Sequence, residues 1–215
     1  KMKVDIYTVL KNEEELLPFY LEHYKTRFPG CVIHIYDNNS TDQSVSICKA
    51  AGCIIYPFPD FIPYVNEELL QEHKNTCWKN SKADWIIVCD TDELIQIDHR
   101  DLVKLDSIDV VQFKGYNMIK VSNEKSFSDI DHGFPSQPYD KCCLFRSNIP
   151  DINYTPGAHT VNVDSVMKLS KYQYDLFHYN KCWFSEENFL KKHNLKESPY
   201  PDFFKYLTKD IKKLK

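Results

Sequence analysis

The feature that most constrains this chain is the alternation of short apolar, β-branched runs with amphipathic ones through its first 90 residues. Val4 to Leu10 fits a short buried strand. Asn12, with Glu15 three positions on, then predicts a helix N-cap with a capping box. Leu17, Tyr20, Leu21, Tyr24 and Phe28 recur at helical spacing until Pro29-Gly30 stops them, and Pro18 either kinks this helix or begins its regular part. Cys31 to Tyr36 is a second strand, and Ser40 with Gln43 predicts a second capping pair opening a helix that ends near Gly52. Cys53 to Tyr56 gives a third strand and Pro57 to Pro63 a proline-punctuated loop. Asn66 to Ser81 follows as a helix with Leu69, Leu70, His73 and Cys77 on one stripe, and Trp85 to Cys89 as a fourth strand. Such alternation needs right-handed crossovers, so the expected class is α/β: a single, mostly parallel sheet flanked by helices.

Beyond Asp90 the pattern loosens. A short helix is expected near Asp98 to Leu105, strands at Val110 to Met118 and Lys141 to Arg146, and a loop over the polar stretch Ser122 to Tyr139. From Ser185 on, Phe189, Leu190, Phe203, Phe204, Tyr206 and Leu207 form the apolar side of one or two helices, and Lys205 to Lys215 reads as a solvated helix face or a lead into a further domain. A length of 215 residues fits one domain, 1–215, with an alternating half at 1–95, of nucleotide-binding type by pattern, and a looser half at 96–215. The net charge of -4, from 27 basic and 31 acidic residues well mixed, gives no field that would gather nucleic acid or an anionic membrane. No run reaches the roughly 20 apolar residues of a membrane span, and the start is not a signal peptide, so a cytoplasmic protein is expected. The eight cysteines contain no C-x-x-C pair; they read as small buried thiols in a reducing compartment.

The residues best suited to chemistry are Asp90-Thr91-Asp92-Glu93, which follow four apolar residues of a buried strand. The carboxyl ends of parallel strands form the ligand crevice of such folds. Residues two apart in extended chain point the same way, so Asp90 and Asp92 can converge on a hard cation such as Mn²⁺ or Mg²⁺. A polar turn is the plain alternative, but three carboxylates in four positions repel one another unless a cation relieves them. Tyr36-Asp37-Asn38-Asn39-Ser40-Thr41-Asp42 stands at another strand end. There Asp37 can accept from a pyrimidine N–H or ribose hydroxyls, and the next helix start offers free N–H groups.

Taken in order, Lys11-Asn12-Glu13-Glu14-Glu15-Leu16-Leu17, the Tyr36 to Asp42 segment, and Asp84-Trp85 leading to Asp90-Thr91-Asp92-Glu93 resemble the glycosyltransferase family 2 group and its family 92-like relatives. Phe177-His178-Tyr179, followed by Ser185-Glu186-Glu187-Asn188-Phe189-Leu190-Lys191-Lys192, is similar to the segment near the end of those domains. Compact single-domain versions encoded by large DNA viruses share the likeness. The resemblance implies a GT-A fold and a nucleotide-sugar donor, a UDP-sugar first. It implies that Val9, Lys11 and Glu13 line the base pocket and that Asp37 contacts uracil or ribose. Asn38 stands where many members have a second acidic residue. Lys74-Asn75 sits where Arg-Asn is common, so Lys74 would offset the diphosphate charge. The resemblance further implies that Asp90 and Thr91 touch the donor, and that a late histidine, His159 or else His178, reaches the metal.

The implied activity is metal-dependent transfer of a sugar to an acceptor hydroxyl of a glycan or glycoprotein, inverting, with Mn²⁺ or Mg²⁺ as a Lewis acid on the leaving diphosphate. A carboxylate should serve as general base: Asp140 first, with Asp131 and Asp129 as rivals. The Ser122 to Tyr139 loop is expected to order over the donor. A nucleotidyltransferase would want a Gly-rich or basic first loop, whereas Asn12-Glu13-Glu14-Glu15 is acidic. An Asp-x-Asp phosphatase lacks its following pattern, and a passive carbohydrate-binding module has no evident need for three clustered carboxylates.

Overall fold

The computed structural model describes residues 2–58, 66–120, 125–162, 165–179 and 212–215. The first half is built as the alternation predicts. Strand β1 (Val4–Leu10) leads to helix α1 (Leu17–Arg27), β2 (Val32–Asp37), α2 (Ser44–Ala50), β3 (Ile54–Pro57), α3 (Glu67–Thr76) and β4 (Trp85–Val88). β3, β2, β1 and β4 lie side by side and parallel, with Leu10 opposite Asp37 and Tyr7 opposite Val88. All four β4 side chains are buried because helices cover both faces of this part of the sheet.

In α1 the stripe Leu17, Tyr20, Leu21 and Tyr24 is buried against β1 and β4, and Pro18 sits in the first turn, where its missing N–H costs nothing. The helix starts at Leu16 without a side-chain cap. Asn12, expected to cap it, instead turns through the left-handed region (φ 55°), and its Oδ1 accepts from the Thr41 N–H at 2.8 Å. Ser40, expected to cap the next helix, likewise accepts from the Asn12 N–H at 3.0 Å, while Glu14 accepts from the Gln43 N–H at 2.8 Å. The two loops thus satisfy each other's backbone, and the caps act across loops rather than along one helix. Asn66 does cap α3, accepting from the Leu69 N–H at 3.0 Å.

The second half is mostly antiparallel, with β6 and β9 paired parallel, and carries more strands than its polarity suggests. β5 (Glu93–Ile95), β6 (Val110–Ile119), β7 (His132–Pro135), β8 (Leu144–Arg146), β9 (Leu169–His178) and β10 (Lys212–Lys213) extend the same sheet in the order β10-β7-β6-β8-β4-β1-β2-β3. β9 bridges β6 and β5. The sheet as a whole is therefore mixed. The helix expected near Asp98 is a 3-10 turn, Asp101–Leu105. The stretch expected to be a loop holds β7 and two 3-10 turns, Phe127–Asp129 and Gln137–Tyr139. The Lys-rich end contributes β10 against β7 where a helix face was expected. The helices expected from Ser185, and the Ser185 to Lys192 block, lie outside the described residues. No described helix is long and apolar enough to cross a membrane.

Candidate active site

At the carboxyl end of β4 the chain turns through Cys89, Asp90, Thr91 and Asp92 into β5, closed by the Glu93 N–H donating to the Asp90 carbonyl at 3.1 Å. The turn is pinned from below by Tyr24, fully buried, whose hydroxyl donates to the Glu93 carbonyl at 2.8 Å. It is pinned from the side by β9: the Tyr179 N–H donates to the Asp92 carbonyl at 2.8 Å, and His178 lies opposite Glu93 in the antiparallel ladder. The same His178 lies opposite Asn117 across the parallel β6–β9 pair. Strand pairing, not sequence proximity, delivers the histidine to the carboxylates.

Around this turn lies a cleft of about 210 Å³ lined by Asp90, Asp92, Glu93, His178, Lys74, Lys141, Tyr139, His159 and the first turn of α3 at Glu67. Its charges are sorted. Lys74 Nζ holds Asp90 Oδ1 at 2.7 Å, and Lys141 Nζ bonds Glu93 Oε1 and stands 3.7 Å from Asp90 Oδ2. Both lysines are buried, at 5 % and 4 % exposure. Burial alone would raise the Asp90 carboxyl, but the Lys74 and Lys141 ammonium groups overcome it and hold the acid well below the usual carboxylate range. Burial also disfavours both ammonium groups, and the carboxylates, Asp90 beside Lys74 and Glu93 beside Lys141, push them above the ordinary lysine value. The Tyr139 hydroxyl is pushed up to about 12 by burial and then by Asp92 and Glu93, so it stays a neutral donor.

Asp92, Glu93 and His178 each offer a ligand atom, all within 4.8 Å of one another. His178 Nδ1 donates to Asn117 Oδ1 at 2.7 Å, and its Nε2 faces Asp92 Oδ2, 3.3 Å away. A lone pair facing a carboxylate oxygen is repulsive unless a proton or a cation lies between. Two ligands about 2.1–2.2 Å from one octahedral ion sit about 3 Å apart, so the spacing fits a hard divalent cation. The Asn117 partner and the Tyr139 ring stacked on His178 (centroids 3.7 Å, 20°) supply the outer support such a ligand needs.

The predicted residues are therefore only partly gathered. The expected metal group was Asp90, Asp92 and His159. Asp90 lines the cleft with Oδ1 on Lys74 at 2.7 Å and Oδ2 3.7 Å from Lys141, and His159 is tied through Nδ1 to the Pro138 carbonyl and meets Tyr139 edge-on at 6.0 Å, apart from the three converging groups. Lys74 is in the cleft. Asn75 is not: its side chain accepts from the Tyr154 N–H at 2.7 Å and anchors the segment that carries His159. Thr91 is buried within the turn. Val9 lies one residue before the end of β1, opposite Tyr36 of β2, and exposed Lys11 and half-buried Glu13 follow in the loop. Asp37 accepts from the Ser40 N–H at 3.2 Å, and the neighbouring Asn38 Oδ1 is buried with no protein partner among the described residues. Asp140 Oδ1 accepts from the Gly115 N–H at 2.7 Å, and Asp140 is not among the residues lining the cleft, although Tyr139 and Lys141 on either side of it are. Asp131 pairs with His132 and Lys213, and Asp129 closes a capping box with Ser126; none of these three acids lines the cleft. Lys141 and Tyr139 escaped sequence reasoning; their only signal was a lysine directly before the apolar run Cys142 to Phe145.

The family comparison agrees with this architecture. Residues 5–147 match the model for "Glycosyl transferase family 2". Protein RfbJ of Shigella flexneri is 31% identical over 48 residues, 22% of this chain and 37% of that protein. Among solved structures, S. aureus TarS 1-349 in complex with UDP-GlcNAc matches at TM-score 0.49 and 14% identity over 88% of this chain and 64% of that one. Glucosyl-3-phosphoglycerate synthase from Mycobacterium tuberculosis, in complex with Mn²⁺, UDP and glucosyl-3-phosphoglycerate, matches at TM-score 0.35 and 17% identity over 54% and 44%. The chain thus spans less than two thirds of the length of each of these proteins. With a family match over most of its length and an acidic cleft at the tip of the fourth strand of a single α/β sheet, this chain belongs to glycosyl transferase family 2, with the GT-A fold.

Proposed function

We propose that the chain transfers a sugar from a nucleotide-sugar donor, a UDP-sugar first, to an acceptor hydroxyl of a glycan or glycoprotein, with inversion and with Mn²⁺ or Mg²⁺ held by Asp92, Glu93 and His178. The observation that carries this reading is the approach of His178 Nε2 to Asp92 Oδ2 at 3.3 Å beside Glu93, with Nδ1 committed to Asn117. The cation would supply Lewis-acid relief of the leaving diphosphate. Lys74 and Lys141 add two buried positive charges, and a donor diphosphate can draw Lys74 from Asp90 as a point-charge partner. The loops after β1 and β2, with Val9, Lys11, Glu13, Asp37 and the unpartnered Asn38 oxygen, are the proposed seat of the base and ribose.

The donor carried in complex by a TarS structure (UDP-GlcNAc) and the Mn²⁺ and UDP bound to the mycobacterial synthase agree with this chemistry. The likeness to family 92-like and viral single-domain enzymes, and a cytoplasmic setting suited to the seven free thiols among the described residues, belong to the same proposal. The test is thermal stability against UDP-sugars and GDP-sugars with and without Mn²⁺. One nucleotide class should raise the transition only when metal is present. A shift with nucleoside triphosphates and none with nucleotide sugars would turn the reading toward nucleotidyl transfer.

A further inference from the structure

An inverting displacement needs a base for the acceptor proton, and the three acids that sequence reasoning favoured do not face the cleft. Asp140 is held by Gly115, Asp131 by His132 and Lys213, and Asp129 by its own turn. Inside the cleft, Asp90 and Glu93 are paired with lysines, and Asp92 faces His178. His159 remains. Its Nδ1 donates to the Pro138 carbonyl, which assigns the tautomer and leaves Nε2 as a free acceptor on a cleft-lining ring.

The backbone is bent to hold it there. Gly157 and Ala158 both adopt left-handed conformations (φ 75° and 53°), an arrangement L-residues such as Ala158 adopt only at a cost of about 1 kcal/mol. The imidazole folds back over Gly157 so closely that a Cβ there would lie 2.6 Å from Cδ2 and 2.8 Å from Nε2. Tyr139 touches both histidine rings, His178 face-on and His159 edge-on, so His159 stands beside the cation ligands without joining them. Asn75 and Gln71 of α3 clasp the Tyr154 backbone and anchor the segment from behind.

We propose that His159 Nε2 is the general base of this site, an assignment that rests on the glycosyl-transfer reading above. The acceptor O–H proton passes to Nε2 as the oxygen bonds to the anomeric carbon. The bond from that carbon to the diphosphate oxygen breaks with its electron pair on the departing nucleoside diphosphate, and the imidazolium then returns its proton to solvent. With the acceptor unidentified, water serves as acceptor, and the readout is metal-dependent release of nucleoside diphosphate from UDP-glucose, UDP-N-acetylglucosamine or GDP-mannose.

H159A should lower that release by about 100-fold or more, since a positioned base contributes typically 10²- to 10⁴-fold. It should leave the metal-dependent thermal shift with the same donor intact, and added imidazole should restore turnover. An H159A enzyme within about threefold of wild type, well short of a base's usual contribution, would overturn the assignment. So would loss of donor binding in parallel with turnover and no imidazole rescue, or a collapse of turnover in E67Q with H159A active. If the wild type releases no nucleoside diphosphate from any donor, the reading beneath the assignment fails instead.

Discussion

Replacing Lys141 with Met isolates the buried charge cluster. Lys141 and Glu93 have side-chain exposures of 5% and 2%, and the ammonium is the partner of Glu93 Oε1, while Glu93 Oε2 accepts from the Asp90 N–H at 3.2 Å. Met keeps the stem but strands a buried carboxylate, a change that costs about 3–5 kcal/mol when one partner of a buried pair is removed. For a domain of this size that is a fall in Tm of about 6–20 °C. Removing the second charge as well, K141M/E93Q, should recover most of the loss, because a neutral pair has little to desolvate. A double-mutant cycle by urea unfolding reads the coupling directly. The metal adds a second axis: Lys141 competes with a cation for Glu93, so saturating Mn²⁺ should raise the Tm of K141M by more than that of wild type. A loss below about 1 kcal/mol, the range of an exposed pair, with no coupling in the cycle and no larger Mn²⁺ effect would refute the description of this cluster.

Three further substitutions probe the supports. In G115A the new Cβ would meet the Tyr139 backbone at 2.3 Å, forcing the 3-10 turn away from β6; loss of Mn²⁺ affinity together with lowered stability is expected, and unchanged Mn²⁺ affinity by calorimetry would count against Tyr139 as the support of His178. Y24F removes the donor to the Glu93 carbonyl and should cost about 1–3 kcal/mol in urea unfolding, the range for a buried group left unsatisfied. His23 is held neutral, its pKa lowered to about 3 by burial and then by the Arg27 charge, against the pull of the Ile95 carbonyl. Below its unfolded value of 6.5 the unfolded chain takes up a proton that the folded one refuses. This contribution to stability is therefore complete above pH 6.5 and falls by up to about 1.4 kcal/mol per unit toward pH 3. H23Q should flatten that limb by about one proton, measured as the slope of unfolding free energy on pH; an unaltered slope would contradict it.

The parallel half of the fold was legible because strands buried on both faces must be apolar along their whole length, as Trp85 to Val88 are, and because its helices show period and stops such as Phe28-Pro29-Gly30. The mostly antiparallel half was not. β5 is only Glu93–Ile95, hidden behind an acidic turn, and β9 begins exposed, with Lys171, Tyr172 and Gln173 facing solvent before it becomes buried at Leu176. Asp90 to Glu93 announced a site because clustered carboxylates after a buried strand are locally unfavourable. Which histidine joins them depends on β9 pairing with both β5 and β6, a long-range fact that spacing does not carry. Lys141 was invisible for a similar reason: a buried lysine is tolerable only beside Glu93 and Asp90, forty-eight and more residues earlier in the chain.

The central claim is a divalent cation between His178 and Asp92. Anomalous scattering from a crystal grown with Mn²⁺ and UDP tests it most directly. A peak within about 2.2 Å of His178 Nε2 and an Asp92 oxygen, the reach of a bound ligand, is the predicted result, absent in H178A. A peak bound by His159 and Asp90, or UDP seated in the cleft with no metal peak at all, would contradict the account.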